Sequence, residues 1–142
     1  MIEAHIHGNI PQTSIRLWQI FLECAQNAQD DKVSNGYAEQ IQNYVRQHYI
    51  DGFTSAQIQE ACGLSYKYAG TLFKEVTGQT IKEYQCTLRL RKAEQLLKET
   101  NKSITEIAQL TGFSDVFYFS KIFHRKKGCP PGEYRKTYIP GI

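Results

Sequence analysis

Two short stretches of this chain carry side chains able to grip an anion and to read the edge of a flat ring. In the first, Lys67, Gly70, Thr71 and Lys74 share one side of a candidate helix, beside Tyr68. That side offers donors and little bulk, a surface suited to lie against a groove. In the second, Phe117, Tyr118, Lys121 and His124 face together, with Val116 nearer the helix start. Lysine donates to base edges, and apolar groups can meet a thymine methyl. Phe117 could equally tuck into a core, and both readings stay open; Tyr118 reads as a contact residue. A plain solvated face is the bland alternative for the first stretch.

Cations that neutralise phosphates release counterions and bind without sequence preference. Lys74, Lys82, Arg125, Lys126 and Lys127 are the candidates, with His124 adjoining them. Helix starts near Ser55 and Ser103 add unpaired amides and the positive end of a helix dipole, which also favour an anion.

These residues need helices to hold them. Thr54-Ser55-Ala56-Gln57 matches a capping box, so a helix is expected from Ser55 to Gly63, with Ser65 capping the next. In that next helix Ala69, Leu72, Phe73 and Val76 fall on one face, read as core. Ile81 to Glu99 reads as one long helix burying Leu88, Leu90, Ala93, Leu96 and Leu97. A second capping box, Ser103 to Glu106, precedes inward-facing Ile104, Ile107 and Ala108, then Phe119, Ile122 and Phe123. Pro131 suits the first turn of a last short helix.

The two halves repeat. Phe73, Gly78 and Glu83-Tyr84 recur 50 positions on as Phe123, Gly128 and Glu133-Tyr134, whereas Gly63 recurs 49 on as Gly112. The extra residue is expected in the second unit's second helix region. Two units are too few for a solenoid, so a tandem of helix-turn-helix motifs fits better. The fold class expected is all-α: two three-helix subdomains on a long linker helix, plus an N-terminal amphipathic helix.

The N-terminal helix is marked by Trp18, Phe21, Leu22, Ala25 and Ala28, broadened by Ile15, Leu17 and Ile20. Residues 29–36 then read as a polar linker, and Tyr37, Ile41, Tyr44, Val45 and His48 as a further amphipathic helix. The domain limit is set near Gly36: residues 1–36 as the end of an upstream region, residues 37–79 as the first subdomain, 80–100 as the linker helix and 101–137 as the second. The Trp18 helix is expected to serve homodimerisation or an interdomain contact, with the chain beginning inside a longer protein; a natural short protein is the alternative.

Composition narrows the classes. The net charge of +3 divides into −2 for residues 1–36 and +5 beyond, with Lys121, Arg125, Lys126, Lys127 and Arg135 crowding the last stretch. That asymmetry suggests an anionic partner. No run approaches the ~18 apolar residues of a membrane helix, so no membrane partner is expected. Cys24, Cys62, Cys86 and Cys129 are dispersed and read as reduced thiols of a cytoplasmic protein. His5 and His7 read as tail rather than metal ligands. With no phosphate loop, nucleophile–base motif or metal cluster, an enzyme is disfavoured and no cofactor is expected.

Ile104-Thr105-Glu106-Ile107-Ala108, Gly112-Phe113-Ser114-Asp115, Tyr118-Phe119-Ser120-Lys121-Ile122-Phe123, Gly128, Pro131 and Glu133-Tyr134-Arg135 together closely resemble the AraC/XylS family signature. Gly63-Leu64-Ser65, Leu72 to Glu75, Thr77-Gly78, Lys82 to Tyr84 and the spacer Arg89-Leu90, Ala93 and Leu96-Leu97 follow the same pattern in order. The resemblance covers about residues 37–137. It implies a sequence-specific bacterial transcription regulator, most often an activator, binding double-stranded DNA and working with RNA polymerase in the nucleoid. It assigns base contacts to Lys67, Gly70 and Thr71 in the first recognition helix and to Val116, Phe117, Tyr118 and Lys121 in the second. Gly70 and Thr71 stand where members often hold Arg or Gln, which shifts weight onto Lys67 and Tyr68. Gln59 stands where a small apolar residue is usual. A protein-interaction module that has lost DNA affinity is the rival from another class; the same output module joined to a phosphorylated receiver or a repair protein is a further reading that stays within DNA binding.

Overall fold

In a computed structural model the backbone is described for residues 12–138 and the side chains for 16–25 and 30–138. Among the described residues there are seven helices and no strand: α1 Gln12–His48, α2 Ser55–Cys62, α3 Tyr66–Thr77, α4 Ile81–Glu99, α5 Ile104–Leu110, α6 Val116–Lys127 and α7 Pro131–Tyr138. Packing divides the chain into two compact units after Gly36.

The linker expected over residues 29–36 is corrected: α1 runs through it. No proline interrupts Asp30 to Gly36, and a single Gly costs only ~1 kcal/mol in a helix interior. Extending an existing helix is far easier than nucleating a new one, so a polar composition alone did not break it. In the unit ending at Gly36, Leu17, Trp18, Ile20, Phe21 and Leu22 are all exposed, and the Trp18 and Phe21 rings meet edge-on with centroids 5.9 Å apart. His5 and His7 lie outside the described residues.

From Tyr37 onward the same architecture is built twice. The first core takes Ala38, Ile41 and Val45 from α1, Ile58 and Cys62 from α2, Ala69, Leu72 and Phe73 from α3, and Ile81 and Tyr84 from α4. The second takes Leu90, Ala93 and Leu97 from α4, then Ile107, Ala108, Phe113, Phe119, Ile122, Phe123 and Tyr134. One helix therefore closes the first head and opens the second. Ala38, Ile41 and Val45 are matched by Leu90, Ala93 and Leu97, each 52 positions on, a correspondence that changed residue types conceal.

Local signals set the boundaries. Thr54 with Gln57, Thr80 with Glu83 and Ser103 with Glu106 each form a full capping box, which satisfies amides left free at a helix start. Three core expectations change. Val76, in the last turn of α3, is 39% exposed rather than core. Leu88 and Leu96 are half-buried at the edges of the two cores. The extra residue of the second unit also lies elsewhere. α3 and α6 both have 12 residues and their N-caps, Ser65 and Asp115, are 50 apart, so the insertion sits in the turn at 112–115 and leaves the helix intact.

Candidate nucleic-acid interface

In each head the third helix buries one face and turns the other outward. On α3 the Ala69 and Phe73 side chains are fully buried, while Lys67, Tyr68, Thr71 and Lys74 are exposed and Gly70 is half-buried. On α6 Phe119 and Phe123 are fully buried, while Phe117, Tyr118, Lys121, His124, Arg125 and Lys126 are exposed. The 50-residue offset superimposes these faces: Lys67 on Phe117, Tyr68 on Tyr118, Thr71 on Lys121, Lys74 on His124.

The structure decides the place of Phe117. It is 82% exposed, which leaves a large apolar ring in water with no packing to repay it. Tyr118 is 54% exposed, its ring 6.3 Å from that of Phe113. Val116, by contrast, is half-buried and packs against the second core.

Two grooves show how the outward faces are arranged. One, of about 410 Å³, runs between α3 and the start of α4 and is lined by Lys67, Gly70, Thr71, Lys74 and Lys82. The absent side chain of Gly70 opens its floor. The other lies between the first half of α4 and α6 and is lined by Lys82, Tyr118, Arg125 and Lys126. Lys82 lines both, so the two outward faces flank the same part of α4. Arg91, which sequence reasoning passed over, joins Lys126 in a further groove on α4.

The phosphate candidates separate. Lys74, Lys82, Arg125 and Lys126 are exposed. Lys127 differs: its ammonium lies 2.5 Å from Glu94 Oε2, while Oε1 of the same carboxylate accepts from Tyr134 and from Lys98 at 3.1 Å. The Lys127 and Tyr134 hydrogen bonds hold the Glu94 carboxyl at about 2, well below its ordinary value. Lys127 is thus committed to an internal anion, a pairing across 33 residues that no local pattern announces.

The helix starts differ as well. Ser55 follows a neutral box, in which the Thr54 amide donates to Gln57 at 2.8 Å. Ser103 heads an acidic one, its amide donating to Glu106 at 2.7 Å, and that hydrogen bond lowers the Glu106 carboxyl pKa. A carboxylate already occupies the anion-favouring end of α5. Gln59 also finds its reason: its side-chain oxygen accepts from the Tyr66 amide at 3.1 Å, bridging α2 to the start of α3.

A family model described as a helix-turn-helix domain matches residues 58–137. The chain belongs to the AraC family. Its members are transcription regulators that bind DNA through helix-turn-helix domains, and they are not enzymes. The HTH-type transcriptional activator Btr of Bacillus subtilis is 36% identical over 107 residues, 75% of this chain and 20% of that protein. The C-terminal domain of the two-component response regulator yesN from Fusobacterium nucleatum is 35% identical, with a TM-score of 0.63 over 68% of this chain and 95% of that one. The DNA-binding domain of AdpA, solved in complex with a target DNA, shares the fold with a TM-score of 0.65 at 23% identity, covering 71% and 91% of the two chains. The chain spans from 20% to 46% of the length of the curated AraC relatives it matches. Among the described residues no helix is long and apolar enough to cross a membrane.

Proposed function

We propose that this chain is the DNA-reading part of a bacterial transcription activator, in which α3 and α6 enter adjacent major-groove segments of one asymmetric site. The observation that supports this reading is Lys82, which lines the grooves beside both α3 and α6, so that the two helices flank the same part of α4. Lys67, Tyr68, Gly70 and Thr71 read one segment; Phe117, Tyr118 and Lys121 read the other, with Val116 positioning the helix start. Lys74, Lys82, His124, Arg125 and Lys126 hold phosphates, joined by the α2 start at Ser55. Because the heads differ in sequence, the site is not a palindrome. α4 has 19 residues and spans ~28 Å, somewhat under the ~34 Å of a helical turn of DNA, so bending or tilting makes up the difference. Residues 37–137 form the DNA-binding domain. The exposed Trp18 helix serves a homodimer or an upstream domain, and the assembled regulator works with RNA polymerase at the nucleoid in the cytoplasm.

Selection of duplexes from a random library at two salt concentrations tests this. The expected result is one enriched asymmetric sequence, with affinity falling steeply as salt rises. The 82% exposure of Phe117 favours one other reading, a protein-binding patch; its result would be no enriched duplex and partner capture insensitive to salt.

A further inference from the structure

Where the two heads meet, one side chain joins three segments. Arg89 sits mid-way along α4, between the residues that close the first core and those that open the second. Its Nε donates to the Tyr49 carbonyl at 2.5 Å and its Nη2 to the Ile50 carbonyl at 3.1 Å. Those carbonyls follow the last residue of α1, at the negative end of a helix dipole, where a cation is favoured. Gln85 adds a third donor, its amide nitrogen 3.2 Å from the Tyr49 carbonyl.

The same guanidinium faces the second head. Its carbon lies 5.7 Å from the centre of the Phe113 ring, in the turn between α5 and α6. Gly112 beside it has φ +87°, and a Cβ there would stand 2.3 Å from the Ile50 carbonyl oxygen and 2.9 Å from Arg89 Nε. The turn of the second head therefore presses onto the loop of the first, with Arg89 filling the seam. The corresponding turn of the first head, at Gly63, has nothing within 4 Å. A planar fork that bonds two carbonyls while resting against a ring is something Lys cannot reproduce.

We infer that Arg89 is the strut that fixes the register of α3 relative to α6, making the protein selective for the spacing between the two segments of its site. This rests on the two-headed DNA reading. α4 alone transmits the separation along its axis, but a single helix can bend and leaves each head free to rock. The Arg89 seam removes that freedom by tying the α1–α2 loop to the α5–α6 turn. Arg89 touches no DNA in this account; it is a positioning residue, and its effect falls on geometry.

Two measurements test it. Binding is measured for the wild-type chain and for Arg89→Lys, on the selected duplex and on duplexes with one base pair added or removed between the segments. One base pair rotates the second segment by roughly 34°. Wild type should lose at least ~10-fold on the respaced duplexes, on the scale of a mismatched base pair. Arg89→Lys should lose under ~3-fold there. An unchanged ratio in Arg89→Lys would overturn the strut. Wild-type protein that binds no duplex would instead overturn the DNA reading, and the spacing claim with it. Residual dipolar couplings on the free proteins test the strut without DNA and show whether the variant is folded. Both heads of the wild type should fit one alignment tensor and the heads of Arg89→Lys two; one shared tensor in a folded variant would overturn the inference.

Discussion

In the first head the closing tyrosine, Tyr84, accepts a hydrogen bond from Arg46 at 2.9 Å, whereas in the second head Tyr134 donates one to Glu94. The surroundings are otherwise matched: Tyr84 packs 5.7 Å from Phe73 and Tyr134 packs 5.3 Å from Phe123. One fold has thus been closed with opposite charge. A cation holds a neutral acceptor in the first head; an anion gathers Tyr134, Lys127 and Lys98 in the second. The second arrangement is the more committed. It ties α6 and α7 to α4 through one carboxylate, pushes the Tyr134 hydroxyl pKa up through burial and the Glu94 bond, and engages the Lys127 ammonium in an ion pair. The difference teaches that an inherited packing pattern fixes the aromatic core, while the polar closure is free to change and carries its own sensitivity to pH.

Substitutions can break this comparison, the largest at the turns. Gly112→Ala should destabilise by roughly 2–5 kcal/mol, combining left-handed strain with displacement of the Ile50 carbonyl. Gly63→Ala has strain alone, about 1–2 kcal/mol. Urea midpoints that coincide for the two variants would remove the asymmetry.

Acid should distinguish the heads next. Glu94 has a depressed folded-state pKa, so its contribution is fully present above the ordinary 4.5 and is lost as pH falls from there through about 2. The side chain is 22% exposed and partly screened, so the loss is about 1 kcal/mol rather than that of a buried pair. Glu106 at the start of α5 adds to it in the same direction, where α2 has the neutral Gln57. Glu83, also depressed, stands on the helix both heads share. Amide exchange should therefore show the second head loosening before the first between pH 5 and 3, and Glu94→Gln should blunt that order. Simultaneous loosening of both heads would contradict it.

Tyr84→Phe should cost about 0.5–1 kcal/mol, with no dependence on acid pH, since the hydrogen bond it removes involves no carboxylate. A melting curve at pH 7 and pH 4 checks this. Smallest of all is the stability effect of Phe117→Ala, within ~0.5 kcal/mol because the ring is already in water. Its affinity for the selected duplex should nevertheless fall several-fold. A variant that melts early would place the ring in the core instead.

Much of this was legible locally. Capping residues and helix-ending glycines are short-range signals, so α2, α4 and the two recognition helices were bounded closely from residues alone, and the outward sets at 67–74 and 117–124 followed from helical spacing. The Thr80–Glu83 box carries the same short-range signal at the start of α4. Residues 29–36 misled because polarity describes solvent exposure, which a long helix tolerates. What sequence could not give were pairings across 33 to 40 residues: Lys127 with Glu94, Tyr134 with Glu94, Arg89 with the Tyr49 carbonyl. Each depends on how two heads of similar design settle on one helix.

The most direct test of two separate reading heads is to repeat the duplex selection with Lys67→Ala/Thr71→Ala and with Tyr118→Ala/Lys121→Ala. Each double variant should lose sequence preference in one segment of the wild-type site and keep it in the other, and the two lost segments should be different. Loss of the same positions by both variants, or no change in the enriched sequence from either, would contradict the account.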